Sequence, residues 1–150
     1  MNLQLQSFLA LAAIAWADGS VDRIETAGLL RAAEESGHEG NSLAAIEATT
    51  KQKVLLDDVD VTGLSPWDQV LTYALASWLA QLDGVVTTEE HATLQALGDK
   101  LGLSQLQRKK AAAAAFDIAC QPESGRPERY DFQKLSARLR EKLPSILEGS

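Results

Sequence analysis

The sequence predicts an all-α fold, a single-domain bundle of about seven or eight helices. Apolar residues make up 45% of the chain and aromatic residues only 5%. Ala and Leu dominate the apolar set, which favours helices over strands. A length of 150 residues suits one domain with a substantial core. A segment also recurs at an offset of 65 residues, and each copy has the pattern of a corner between two helices.

The two copies span segments 15–37 and 80–102, and the helix after each corner is expected to end at a glycine, Gly37 or Gly102. Each has an Asp-Gly pair after an apolar run, and Gly can adopt the left-handed conformation that ends a helix. An N-cap candidate follows, with a Glu three residues later, which is the spacing of a capping box. The main matching pairs are Ala15 and Ala80, Asp18 and Asp83, Gly19 and Gly84, Val21 and Val86, Asp22 and Thr87, and Glu25 and Glu90. The sequence therefore predicts two pseudo-repeated helix-corner-helix units, over about 8–37 and 70–102.

The repeated aspartates of these corners have two explanations. In the first, which is the simpler, each side chain accepts hydrogen bonds from backbone N–H groups of its own turn. In the second, the acidic side chains of both corners hold a divalent cation. Oxygen ligands suit calcium, magnesium or manganese better than zinc. The candidate ligands are Asp18, Glu25, Asp83 and Glu90.

Apolar periodicity and capping residues place the remaining elements. In chain order the predicted helices run over 3–17, 23–36, 42–54, 66–82, 88–101, 105–119 and 128–142, with a short helical turn at 54–56. The third helix is predicted to be capped by Ser42, and the fourth starts at Ser65 with Pro66 at its first position. The fourth is apolar nearly all round and is therefore the predicted central helix. On the second, Ile24, Ala27, Leu30 and Ala33 are expected to face inward.

Charge is unevenly distributed along the chain. Residues 1–90 carry 14 acidic and 4 basic side chains, a balance of −10, whereas residues 91–150 have a balance of +3. The last helix is basic and amphipathic, with candidate interaction residues Arg129, Lys134, Arg138, Arg140 and Lys142. Its basic face is either a solvated surface of a docked helix, the favoured interpretation, or a surface for an acidic partner or anionic lipid. Nucleic acid is not expected as a partner of an acidic chain.

Single residues elsewhere carry weaker signals. His38 is predicted to be a solvated turn residue and His91 an exposed residue of a first helical turn. Cys120 cannot form an intramolecular disulfide and is expected to be a small buried residue of an Ala-rich helix. A calcium-loop pattern opens at Asp58 but fails at its closing position, where Gln69 replaces a bidentate Glu. The predicted structure there is an exposed acidic connector.

Several functional classes are not expected. No run of 18 apolar residues is present, so a membrane span is not predicted. No basic region precedes the first apolar run, so a secretory signal is not expected. The expected location is the cytoplasm. The chain lacks the Gly-rich phosphate loop, the G-x-S-x-G element and the H-E-x-x-H motif, so an enzyme is not expected.

The doubled pattern A-x-x-D-G-x-V-[DT]-x-x-E, within residues 15–102, resembles the TerB-like family of tellurite-resistance-associated helical domains. The resemblance implies an all-helical bundle with two pseudo-repeats and a cation-binding acidic face. It also implies a role in stress or tellurite resistance, often as an adaptor and in some members near the inner membrane surface. The expected function is thus a non-catalytic module that binds another protein through its acidic half, its basic tail or the groove between the repeats. Peripheral membrane association is also open. The alternative is a divalent-cation-binding protein that uses the two acidic corners.

Overall fold

The computed structural model describes residues 1–82, 86–121, 126 and 129–144. These residues form seven α-helices and no strand, which confirms the predicted all-α class. The helices are α1 (Leu5–Ala15), α2 (Arg23–Glu35), α3 (Gly40–Ala48), α4 (Pro66–Ala80), α5 (Thr88–Lys100), α6 (Gln105–Ala119) and α7 (Phe132–Lys142). Two short 3-10 turns lie at Trp16–Asp18 and Leu56–Asp58. Among the helices of this described part, none is long and apolar enough to cross a membrane.

Helix α4 is the centre of the bundle, as predicted. Its start is fixed by Ser65, whose hydroxyl accepts a hydrogen bond from the Asp68 N–H at 3.1 Å, and by Pro66 in the first turn. Every residue from 70 to 80 is buried. The helix packs against α1, α2, α5 and α6, so its apolar circumference is covered on all sides.

An aromatic cluster joins α4 to the segment that leads into α7. Trp78 stacks on Tyr130 with ring centroids 4.3 Å apart, and Phe132 meets the Trp78 ring edge-on at 5.4 Å. The Tyr130 hydroxyl donates to the carbonyl of Ala115 in α6 at 3.0 Å. From α2, Arg31 donates to the Tyr130 carbonyl at 2.5 Å and lies over the Phe132 ring. Helices α2, α4, α6 and α7 are therefore tied together at one point.

A polar pair lies inside the core between α1 and α4. Thr72 donates from its hydroxyl to that of Ser7 at 2.9 Å, and both residues are fully buried. A buried hydroxyl without a hydrogen-bond partner lowers the stability of the fold, and this hydrogen bond gives both hydroxyls a partner. The pair fixes how α1 lies on α4, because the hydrogen bond has a narrow geometry that apolar contacts lack.

The third helix is shorter than predicted. It spans Gly40–Ala48, whereas the sequence predicted a helix from Ser42 to about residue 54. Ser42 does not cap it, since its hydroxyl donates to the Glu39 carbonyl within the first turn. At the other end, Thr49 and Thr50 donate their hydroxyls to carbonyls three residues earlier, at 2.5 and 2.7 Å. These local hydrogen bonds compete with helix propagation and account for the early end.

The inward face of α2 also differs from the prediction. Ile24 is 44% exposed, and Ala27 and Leu30 are only half-buried. The buried residues of this helix are Glu25, Gly28, Leu29, Ala32 and Ala33. Glu25 folds back to the N-terminus of α2 to close a capping box, and it lies on the same buried face as Gly28 and Leu29. Apolar periodicity alone could not show that a carboxylate occupies the inner face.

The connector before α4 is only partly exposed. Asp58 and Asp60 face solvent as predicted, but Val59 and Val61 are buried in the core. The Asp60 carboxylate accepts hydrogen bonds from the backbone and hydroxyl of Thr62, which lower its pKa. Alternation of acidic and apolar residues thus lets the connector dock on the bundle.

Several helix ends follow the predicted glycines and caps. Gly37 and Gly102 have positive φ values of 86° and 72° where α2 and α5 end. The last helix begins at Phe132 rather than at residue 128, because Asp131 is its N-cap and accepts from the Lys134 N–H at 3.0 Å. Residues 127 and 128 lie outside the described residues.

The close approach of α2 to α4 depends on Gly28. A Cβ atom at this position would lie 2.9 Å from Leu82 Cδ1 and 3.1 Å from the Trp78 ring. We expect Gly28→Ala to lower the free energy of unfolding by about 1–3 kcal/mol through overpacking, measured by urea denaturation.

Gly63→Ala is the matched control for this change. No atom lies within 4 Å of a Cβ at Gly63 and its φ is not positive, so stability should stay equal or rise slightly. An equal effect of both substitutions would contradict the steric argument.

Candidate functional site

The first acidic corner is built by the turn after α1. Gly19 follows the Trp16–Asp18 turn with a φ of 97°. The exposed Asp18 carboxylate accepts a hydrogen bond from the Ser20 N–H at 3.2 Å. This is the turn-capping role that the sequence favoured for Asp18.

The predicted capping box at the start of α2 is present. The Glu25 N–H donates to Asp22 Oδ1 at 2.7 Å, and the Asp22 N–H donates to Glu25 Oε1 at 3.2 Å. Glu25 is only 5% exposed. Its carboxylate therefore serves the helix terminus from inside the protein, which is an unusual place for a negative charge.

Helix α5 starts in the same way. The Glu90 N–H donates to Thr87 Oγ1, and the Thr87 N–H donates to Glu90 Oε1, both at 3.1 Å. Glu90 is 2% exposed. The predicted box at this helix start is thus also present, whereas Asp83, the remaining candidate ligand, lies outside the described residues.

These carboxylates influence one another. Burial is the main cause that raises the pKa of Glu25 from an ordinary value of 4.5 to about 8, and repulsion from Asp22, Glu90 and Asp18 adds to it. The N–H of Asp22 acts in the opposite direction by hydrogen bonding to the charged form. The turn that carries Asp18 also packs against α5. The fold thus brings three of the four predicted ligands into one electrostatic neighbourhood.

The described residues contain no group of three or more His, Cys, Asp or Glu side chains placed to hold a metal ion. Asp83 lies outside the described residues. The shared four-carboxylate site therefore stays a prediction.

A groove of about 350 Å³ lies beside this acidic region, and its lining residues were not predicted. Its walls come from α1, the Trp16–Asp18 turn, segment 53–57 and α5. Most of the lining is apolar, and the principal side chains are those of Ala13, Trp16, Leu55, Leu56, Ala92 and Ala96. Leu55 is 52% exposed. The available sequence signal was the apolar run 54–56 between Lys53 and Asp57, outside any long helix.

The five basic candidates belong to α7 and the segment before it. Arg129, Lys134, Arg138 and Arg140 are exposed and Lys142 is half-buried. Arg138 and Lys142 both lie near Asp117 of α6, at 3.3 and 3.8 Å. Arg140 lies over the Trp67 ring at 5.4 Å. At least these three side chains help dock α7, although exposed ion pairs contribute little stability.

Two single-residue predictions were wrong. His38 is half-buried, with Nε2 2.8 Å from the Leu3 carbonyl and its ring edge-on to Phe8. Cys120 is exposed, since it is the C-cap of α6 on the side away from the core. His91 is exposed, as predicted.

The raised pKa of Glu25 gives a stability prediction. Between pH 4.5 and 8 the folded state keeps a proton on Glu25 that the unfolded state has released, so stability should fall as pH rises through this window. Gln keeps the capping box without the charge, so Glu25→Gln should reduce this slope. Urea midpoints at pH 5, 6.5 and 8 would measure it.

Glu34→Gln removes an exposed carboxylate from the same helix and should leave the slope unchanged. Equal slopes in the wild type and Glu25→Gln would show that Glu25 does not titrate in this window.

Comparison of the chain with protein-family models, curated proteins and solved structures found no match. The TerB-like assignment accordingly remains a prediction from the doubled Asp-Gly pattern.

Proposed function

We propose that the chain is a non-catalytic protein-interaction or adaptor module that receives its partner in the groove between α1, α5 and segment 53–57. The observation that carries this proposal is the groove itself, a concave and largely apolar surface open to solvent. Leu55 lines it with half of its surface exposed and contributes to its apolar wall.

The groove is suited to hold apolar side chains of a partner. Ala13, Ala92 and Ala96 leave room between the helices because their side chains are small. Trp16 is held in place by a hydrogen bond from its indole Nε1 to the Thr49 carbonyl at 2.6 Å. A fixed wall of this kind reduces the entropy that binding would cost.

Charges at the ends of segment 53–57 would orient the partner. Lys53 and Asp57 both line the groove and have opposite charge. We expect a partner segment with apolar side chains flanked by an acidic and a basic residue, because such pairs set register and orientation more than affinity. The groove is a better basis for this proposal than the basic residues of α7, three of which contact α6 or Trp67.

The resemblance to the TerB-like family supports an adaptor role associated with stress or tellurite resistance. The residues behind it in the described part include Asp18, Gly19, Glu25 and Glu90, which lie at the turn and helix starts next to the groove. Partner docking and the acidic region would therefore share the same elements.

The alternative function is divalent-cation binding by the acidic corners. The proximity of Glu25 to the carboxylates of Asp18 and Glu90 favours it, since a bound cation would displace the Glu25 proton and compensate the charges of all three. Asp83 follows Leu82 near the start of α5 and would supply the fourth ligand. Calcium, magnesium or manganese would suit these oxygen ligands.

Photocrosslinking tests the groove proposal. A photoreactive amino acid in place of Leu55, in cells that naturally express the chain, should crosslink a defined partner. Ala96→Glu should abolish this product, because it places a charge in the groove. Mass spectrometry of the crosslinked species would identify the partner and the segment bound.

Two controls separate docking from general surface effects. The same photoreactive residue at Ile24, which is 44% exposed outside the groove, should not give the product. Ala137→Glu on α7 is the matched control for Ala96→Glu, since both alanines are exposed on helices. A product that survives Ala96→Glu would refute the groove as the docking site.

Thermal unfolding tests the cation alternative. Calcium, magnesium or manganese added to metal-stripped protein should raise the midpoint temperature of unfolding. At a cation concentration a hundredfold above the dissociation constant, the gain in stability should be about 2.7 kcal/mol. Glu25→Gln with Glu90→Gln should remove the shift and keep both capping boxes. The control, Glu34→Gln with Glu89→Gln, changes one exposed carboxylate on each of the same helices. No shift at millimolar cation would rule out this alternative.

A further inference from the structure

Helix α6 presents an unusually apolar face to solvent. Leu106 is 61% exposed and Phe116 is 55% exposed, the two largest values among the large apolar side chains of the described residues. Ala112 and Ala113 lie between them, and Cys120 is exposed just beyond the helix. Neither Leu106 nor Phe116 lines the groove, so this face is a separate surface.

We propose that this face binds the same face of a second copy of the chain, with the two α6 helices antiparallel. Along this face a lysine precedes the paired alanines and a phenylalanine follows them, so two antiparallel copies can set each lysine against a ring. A two-fold axis between Ala112 and Ala113 pairs Lys109 with Phe116 of the other copy. The same axis brings Leu106 close to Cys120 of the other copy. Each residue pair thus occurs twice, as a closed two-fold interface requires.

Small residues lie where the helices would come closest. The axis sets Ala112 of each copy against Ala113 of the other, so the backbones can approach closely. The bulky Leu106 and Phe116 lie away from the crossing, one on each side. They would therefore flank the contact without blocking it.

Charge is also complementary in this arrangement. Lys109 is the charged residue of the face, and the axis places it over a Phe116 ring, a favourable cation–π geometry. The two Lys109 ammonium groups would be separated by about 10 Å along the helix, comparable to the screening length at physiological ionic strength. Asp117 at the edge of the face is already paired with Arg138 and Lys142 of its own chain.

A parallel arrangement lacks these properties. It would set Lys109 against Lys109 and Phe116 against Phe116, so that like charges meet. Only the antiparallel pairing places each Lys109 ammonium group over a Phe116 ring. Because one helix crossing buries less than a standard interface of about 1,600 Å² in total, the dimer should be weak and should dissociate on dilution.

Sedimentation equilibrium of the full chain, over about 5–500 µM, tests the dimer. Phe116→Asp should raise the dissociation constant by more than about tenfold, because it buries a charge in the contact. Ile24→Asp changes an apolar residue of similar exposure on α2 and should leave association unchanged. A wild-type chain that stays monomeric throughout, or equal effects of the two variants, would overturn the proposal.

Cysteine crosslinking tests the direction of the helices. In a Cys120→Ser background, Ala113→Cys should form a disulfide-linked dimer under mild oxidation, while Lys109→Cys should not. Efficient linkage through Lys109→Cys would indicate parallel helices and overturn the antiparallel geometry. Failure of both would refute contact through this face. These results are independent of partner docking, because neither position lines the groove.

Discussion

The structure depends on the burial of α4 from residue 70 to residue 80. Eleven consecutive residues of this helix are buried, so no side of it can face water. Removal of apolar surface from water stabilises the fold by about 25 cal/mol per Å². Helix α4 gains this stabilisation only when all the surrounding helices are in place. Small side chains at Ala74, Ala76 and Ala80, together with Gly28 on α2, keep those neighbours close. The remaining surfaces of α1, α5 and α6 are then available for other contacts.

Buried polar groups show how the fold combines stability with chemistry. Ser7 and Thr72 satisfy one another inside the core, and Tyr130 finds a carbonyl of α6. Glu25 and Glu90 bind the backbone of their own helix starts but also act on each other through space. Helix capping, which is a local device, thus brings acidic groups together at the junction of α2, α5 and the turn after α1.

Sequence reasoning succeeded where the controlling interaction is local. The helix start at Ser65 and Pro66, both capping boxes and the glycine-ended helices all depend on residues within a few positions of each other. It failed where distant segments decide the outcome. The contact of His38 with Leu3, the exposure of Cys120 and the groove around Leu55 follow from tertiary packing, which periodicity does not encode. The internal repeat identified the acidic residues of the two corners, but it could not show how closely these residues lie to one another in the fold.

The contact between Arg31 and Tyr130 has a consequence for synthesis on the ribosome. It joins residues 99 positions apart, and Tyr130 and Phe132 also cover Trp78. During translation the first hundred residues therefore emerge with one side of the central helix open, and an exposed aromatic surface invites misassembly with other nascent chains. The C-terminal segment closes the bundle last, so a ribosome that stalls before residue 130 would release an incomplete chain with an exposed, aggregation-prone aromatic surface.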